Sequence, residues 1–397
     1  MQCKLWVLAL LCTTLNLSAQ FVQGPDGFFY NLDGRLGQNI NQISVSFLDI
    51  ETNAANVGIA NISVVAPKQS QQNSFSQNPA LLARGLARWD AHLDFAPWLR
   101  NMEQGAPLLL DGGLVRTFGN RHAAGLRIRY FDLEGFQLGA TEPFLNYEFS
   151  ITGNYAYQIS QKISLGVGLK YFDSAIQDIQ PSAVLKPVRS IALDLGFHYQ
   201  TEKEFTDGSK LHWNLGLAIT NLGPKVSYVA HRAERLEYLP TALKAGTLFG
   251  WEKPLKNDRS LFLNVTYQAS KLLTPSTQPF IDDNNDGVED YRQFTALEGI
   301  LKSFGDAPGG SKEEWWEITH RFGLESWMHW DKKFSTAVRG GCYYQHPYKG
   351  GQEYGTLGLS TKYQNLFLDL AYIYSIGKGA TALDGTWVAG LGYRKVL

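Results

Sequence analysis

Oxygen-bearing side chains at alternate positions are the clearest chemical signal in this chain. Asp282, Asn284 and Asp286, followed by Gly287, match the D-x-[DN]-x-[DN]-G opening of a calcium loop, with Asp290 further on. Hard carboxylate and amide oxygens spaced in this way can wrap an ion, and the glycine permits the sharp bend that wrapping requires. The twelfth position is Gln293 where a bidentate glutamate would be expected, so the match is partial and a solvated acidic loop is the alternative. Calcium is the one cofactor the sequence nominates. A second stretch suits adhesion better than catalysis. Phe304 leads into Asp306-Ala307-Pro308-Gly309-Gly310, and Trp315 and Trp316 follow. Pro308 stiffens the turn, the glycines free it for close backbone approach, and Phe304, Trp315 and Trp316 are of the type that dominates binding energy at interfaces. The alternative is that this turn packs onto its own fold.

Catalytic motifs are missing from the sequence. It has no G-x-S-x-G elbow, no H-E-x-x-H, no phosphate-binding glycine loop and no paired cysteines. Gly166-Val167-Gly168 lacks the third glycine and following helix of a dinucleotide site and is expected to be small-residue packing on a strand face. The chain is accordingly not expected to be an enzyme. A net charge of −1 gives no reason to propose nucleic acid as a partner.

The elements that must position these stretches are long strands. From Phe144 to Tyr171, apolar and polar residues alternate through two arms joined by Ser160-Gln161-Lys162. A period of two is a strand signal, and a tilted strand crossing a bilayer needs about nine to eleven residues, a length both arms reach. About fourteen such arms follow one another from Trp89 to Val396, an even number suited to a single-chain barrel. Short links such as 119–122, 160–162, 331–333 and 364–365 alternate with long ones at 132–143, 173–189, 222–240 and 269–315. That sorting is expected of periplasmic turns and extracellular loops. Arg127, Arg129, Lys170, Asp194, His198, His212, Glu325, Arg339, Asp369 and Arg394 fall on the face opposite the apolar one. A lipid-facing Arg or Lys at mid-membrane would cost about 2–4 kcal/mol, so this face is assigned to the lumen, where internal pairing is expected.

The expected class is therefore all-β: a transmembrane antiparallel outer-membrane barrel of about fourteen strands, with a small N-terminal hatch. Residues 1–19 read as a signal peptide, with Lys4, the apolar Leu5 to Leu11 and a small-residue site ending at Ala19. Cys3 and Cys12 would leave with it, so Cys342 would have no partner for a disulfide. Residues 20–88 read as a plug, with a short helix near Ala80-Leu81-Leu82-Ala83, and residues 89–397 as the barrel, its long extracellular loop at 269–315.

At these residues the chain resembles the PorV family of the type IX secretion system, a branch of the FadL-like barrels. The resemblance rests on Ala96-Pro97-Trp98-Leu99-Arg100, Arg129-Tyr130-Phe131, Gly216 to Tyr228, Leu239-Pro240-Thr241, Lys271 to Pro275 and above all Ser303 to Glu314. Asn78-Pro79-Ala80 is similar to the hatch motif of FadL-like proteins. The resemblance implies fourteen strands in the outer membrane of a Gram-negative, Bacteroidetes-type cell, surrounded by outer-membrane lipid. It implies a shuttle that binds the C-terminal sorting domain of secreted cargo, caps the lateral opening of the giant translocon and delivers cargo to the surface attachment (sortase) complex. Two other classes stay open: a FadL-like transporter of hydrophobic small molecules, which would need a continuous apolar pocket where inward positions read as largely polar, and a lipid-modifying outer-membrane hydrolase, which would need a Ser/His/acid set.

Overall fold

A computed structural model describes residues 21–31, 37–66, 77–84, 87–98, 107–119, 121–133, 146–176, 185–229, 236–277, 288–377 and 381–396. A hairpin of two three-residue strands, β1 (Phe21–Gln23) and β2 (Phe29–Asn31), precedes fourteen long strands. These are β3 (Ala87–Pro97), β4 (Leu108–Phe118), β5 (His122–Asp132), β6 (Tyr147–Gln158), β7 (Ile163–Ala175), β8 (Val188–Glu204) and β9 (Lys210–Leu222). There follow β10 (Ala242–Pro254), β11 (Ser260–Leu272), β12 (Thr319–His329), β13 (Phe334–Tyr344), β14 (Glu353–Tyr363), β15 (Leu366–Ser375) and β16 (Trp387–Val396). Each long strand pairs antiparallel with its sequence neighbour, and β16 pairs with β3 to close the barrel. Closure leaves no sheet edge, which is what allows strands to cross hydrocarbon.

The alternating arms and the strands coincide with small, explicable shifts. The pairing of β8 with β9 continues to Glu204↔Lys210 and leaves only a turn at 205–209 between them. The arm expected to start at Trp316 starts at Thr319, because Trp316 closes a helix. The tightest link, Gln364-Asn365, places Gln364 at φ 54°, the left-handed backbone that short hairpin turns demand.

The chain enters at the long-loop end, descends through the barrel and leaves at the short-turn end. A 3₁₀ turn (Ser46–Asp49), α1 (Ala54–Val57) and a second 3₁₀ segment (Pro79–Arg84) mark the descent. At the loop end Phe47, Leu48 and Val57 pack with Leu109, Phe131, Phe172, Ile373 and Val388. The inward face, read as largely polar, is apolar where it meets the plug near the loops, because there it buries the plug's own apolar side chains. Midway, Ile59, Ile62 and Val65 meet Leu248, and near the turns Leu82 and Ala83 meet Val115, Ala123 and Ala156.

Most of the lumenal charges pair internally, while neither ring nitrogen of the buried His198 has a hydrogen-bond partner among the described residues. Arg127 Nε donates to Asp111 Oδ1 at 2.9 Å, Arg339 Nε to Glu325 Oε2 at 2.5 Å and Arg394 Nη2 to Asp90 Oδ2 at 2.9 Å, while Lys170 Nζ lies 3.2 Å from Asp194. Asp94 Oδ1 accepts the Ala54 N–H at 3.0 Å, so a wall carboxylate caps the first turn of α1 and ties plug to barrel.

Candidate functional site

The connection between β11 and β12 is the longest link between strands of the barrel. Its described part begins at residue 288 and holds α2 (Ala296–Lys302) and α3 (Gly310–Trp316). A reciprocal cap starts α2: Thr295 Oγ1 accepts the Glu298 N–H at 3.2 Å and Glu298 Oε2 accepts the Thr295 N–H at 2.8 Å. The Thr295 backbone N–H first, and the Thr295 hydroxyl after it, hold the exposed Glu298 carboxyl below its ordinary range. One face of α2 is seated. Gly299 lies flat on the Tyr238 ring, whose hydroxyl donates to the Tyr291 carbonyl at 2.8 Å, and Ser303 is buried beside it. The other face carries Leu297 and Leu301, 65% and 67% exposed, and Phe304 just beyond the helix at 53%. Spacings of four and three residues place them in one apolar stripe.

The Asp306 to Gly310 turn is used inside the fold. Asp306 Oδ2 accepts the Ser276 N–H at 2.8 Å, Glu314 Oε1 accepts the Ala307 N–H at 3.0 Å, and Glu313 Oε2 accepts the Gly309 N–H at 2.8 Å. Gly310 sits at φ 64°, which a side chain would strain. The Pro308 carbonyl presses on Gly27 so closely that no Cβ fits there, and this locks the turn to the β1–β2 hairpin. Beneath it, Lys349 Nζ lies 2.7 Å from Glu313 and 2.9 Å from Glu317, Lys271 pairs with Glu314 at 2.9 Å and also with Glu317, and Asn39 donates to Glu313 at 2.7 Å. Burial raises the Asp306 carboxyl to about 6 against the pull of the Ser276 N–H, and nearby Glu317 and Glu314 add to the rise.

The residues singled out in this loop therefore separate into three groups. Asp306, Ala307, Pro308, Gly309 and Gly310 form the knot. Trp316 joins them, its ring stacked on His346 at 4.0 Å and on Phe28 at 4.9 Å. Trp315, 63% exposed, lies 5.9 Å from His320 on the outer wall. His320 hydrogen-bonds Tyr267 at 2.7 Å and neighbours Tyr344, so Trp315 extends the aromatic belt at the outer interface. Only Phe304 projects away from both knot and belt, in company with Leu297 and Leu301. Sequence reasoning passed over those two leucines, although the Thr295-x-x-Glu298 cap followed by leucines four apart is a readable amphipathic-helix signal.

Asn78, Pro79 and Ala80 sit at the foot of the plug. Asn78 Nδ2 donates to the carbonyls of Val64 at 2.8 Å and Phe197 at 3.0 Å, and its Oδ1 accepts the Ala80 N–H at 3.1 Å. Pro79 and Ala80 lie directly against Gly166, which gives that strand glycine its reason: the plug backbone occupies the space of a side chain. Asp282, Asn284 and Asp286, nominated for calcium, lie outside the described residues.

A family model described as type IX secretion system protein PorV matches residues 35–279. No curated protein matches the chain. Among solved structures, the toluene transporter TbuX of Ralstonia pickettii aligns at 12% identity with a TM-score of 0.43, covering 88% of this chain and 99% of that one. A FadL homologue of Pseudomonas aeruginosa aligns at 12% identity and TM-score 0.41, covering 87% and 99%. The toluene transporter TodX of Pseudomonas putida aligns at 9% and 0.38, covering 91% and 100%.

Proposed function

The chain belongs to the PorV family of type IX secretion system proteins and is an outer-membrane barrel, and from that premise we propose that it is a cargo shuttle and adaptor. In this reading it binds the C-terminal sorting domain of secreted proteins, caps the lateral opening of the giant translocon and passes cargo to the surface attachment complex. The observation that supports it is the outward stripe of Leu297, Leu301 and Phe304 on a helix anchored at both ends, displayed on the long-loop side. Burying three such side chains against a partner would contribute on the order of 3–5 kcal/mol, enough to serve as a hot spot. The knot at Asp306 to Gly310 supports the stripe without offering itself to a partner, because its polar groups are already bonded within the chain.

The test replaces the stripe and leaves the knot intact. A Leu297→Ser, Leu301→Ser, Phe304→Ser variant should reach the outer membrane as a folded barrel, while cargo accumulates in the periplasm and co-purification with the translocon and with sorting domains falls at least tenfold. Undiminished secretion together with both associations would remove the stripe from the docking surface.

A further inference from the structure

At the short-turn end of the barrel, three neighbouring strands place two cations around a tryptophan on the outer face. The register pairs Lys395 of β16 with Trp89 of β3, and Trp89 with Arg116 of β4, so the three lie in one row. The next row toward mid-membrane is Tyr393, Ala91 and Leu114, and the one beyond it Leu391, Leu93 and Gly112. Since faces alternate at every residue, all three rows lie on the lipid side. Leu391, Leu93, Leu114 and Tyr393 are exposed, as a hydrocarbon-facing surface requires. The Lys395–Trp89–Arg116 row lies at the edge of that surface, about 7 Å of strand before β4 ends at Phe118.

The side chains in this row are oriented for an anion. The Arg116 guanidinium lies 5.0 Å from the Trp89 ring and 4.9 Å from the Phe118 ring, which holds its donor edge in place. Among the described residues neither Arg116 nor Lys395 makes an ion pair, although both are exposed. Their neighbours differ: Arg394 turns inward onto Asp90, and Lys332 in another turn meets Asp258 at 3.6 Å. No acidic side chain of the described parts of β16, β3 and β4 faces outward at this end; Asp90, Asp94 and Asp111 are all buried in the lumen. Two strand spacings, about 10 Å, separate the backbones of Lys395 and Arg116, a gap that two long side chains can close on one phosphate.

We propose that this row binds the phosphate of an anionic phospholipid in the periplasmic leaflet of the outer membrane. Arg116 supplies the bidentate fork, Lys395 a second charge, and Trp89 the interfacial ring that sets depth. The inference rests on barrel topology and is independent of cargo handling. It is tested with the full-length protein in detergent, given phosphatidylglycerol and phosphatidylcholine in equal amounts and examined by native mass spectrometry. Wild type should retain phosphatidylglycerol in roughly tenfold preference, since each cation near a headgroup contributes severalfold in affinity. Arg116→Gln with Lys395→Gln should abolish the preference, whereas Lys332→Gln with Lys333→Gln, in a different turn, should keep it. Arg116→Lys alone, which retains charge and loses the fork, should give an intermediate preference and serves if the double variant does not fold. Equal retention of the two lipids by wild type, or an unchanged preference in the Arg116 variants, would overturn the assignment.

Discussion

Asp306 shows how one residue can be conspicuous in a sequence for a reason other than the one first assigned. Its carboxylate anchors the turn to the Ser276 backbone, yet burial and two neighbouring glutamates raise it to about 6. The docked loop therefore holds a proton that the released loop, with an ordinary carboxyl, has already lost between about pH 4 and pH 6. The sign follows: docking is favoured at the acid end of that window, weakens as pH rises through about 6, and levels off above it. Proteolysis of the α2–α3 segment should consequently accelerate between pH 5 and pH 7. Asp306→Asn, which can still accept the Ser276 N–H, should flatten that profile and slow cleavage at pH 7. A profile of the same steepness in the variant would assign the pH response to other groups.

Glycine placement explains how the plug elements sit against the wall. Gly216 of β9 touches the Val64 carbonyl with no room for a Cβ, and a Cβ on Gly341 of β13 would lie 2.7 Å from the Ala60 nitrogen. Strand glycines weaken a sheet in isolation, and here they admit a second backbone into the lumen. Gly216→Leu should displace the descending segment. Overpacking of this kind costs about 1–3 kcal/mol or more and is relieved most readily where the plug can move, so the barrel should persist. In planar bilayers the variant should show larger or more frequent conductance steps than wild type. Gly153→Leu on β6, where an added Cβ meets nothing within 4 Å, should behave as wild type. Equal conductance in all three proteins would mean that the plug does not close the pore.

For the whole molecule, stability rests on closure. Fourteen strands of 10 to 17 residues pair around the ring, and the last pair, β16 with β3, joins residues some three hundred positions apart. In hydrocarbon an unpaired backbone group costs several kcal/mol, so opening one seam exposes two edges at once and the barrel unfolds as a unit. Unheated samples in mild detergent should therefore migrate differently from boiled ones on a gel. Identical migration would contradict a closed barrel.

Strand positions, barrel class and loop sorting were legible in the chain because lipid, water and pleat impose a period of two locally, over each ten-residue arm. Arg127, Arg339 and Arg394 could be assigned to the lumen for the same reason, since the alternative face costs too much. Asn78-Pro79-Ala80 and Asp306 to Gly310 stood out as unusual residue combinations. Their partners did not: Gly166 and Phe197 for the first, Gly27, Ser276 and Lys349 for the second, come from strands or loops up to hundreds of residues away. Periodicity reports which face a side chain takes and carries no information about which distant segment will lie against it. Trp315 and Trp316 make the distinction plain. Adjacent and chemically identical, they read as one pair of anchors. The end of α3 turns Trp316 onto Phe28 and His346, while Trp315 lies by His320 in the lipid belt, because packing separates what sequence places side by side.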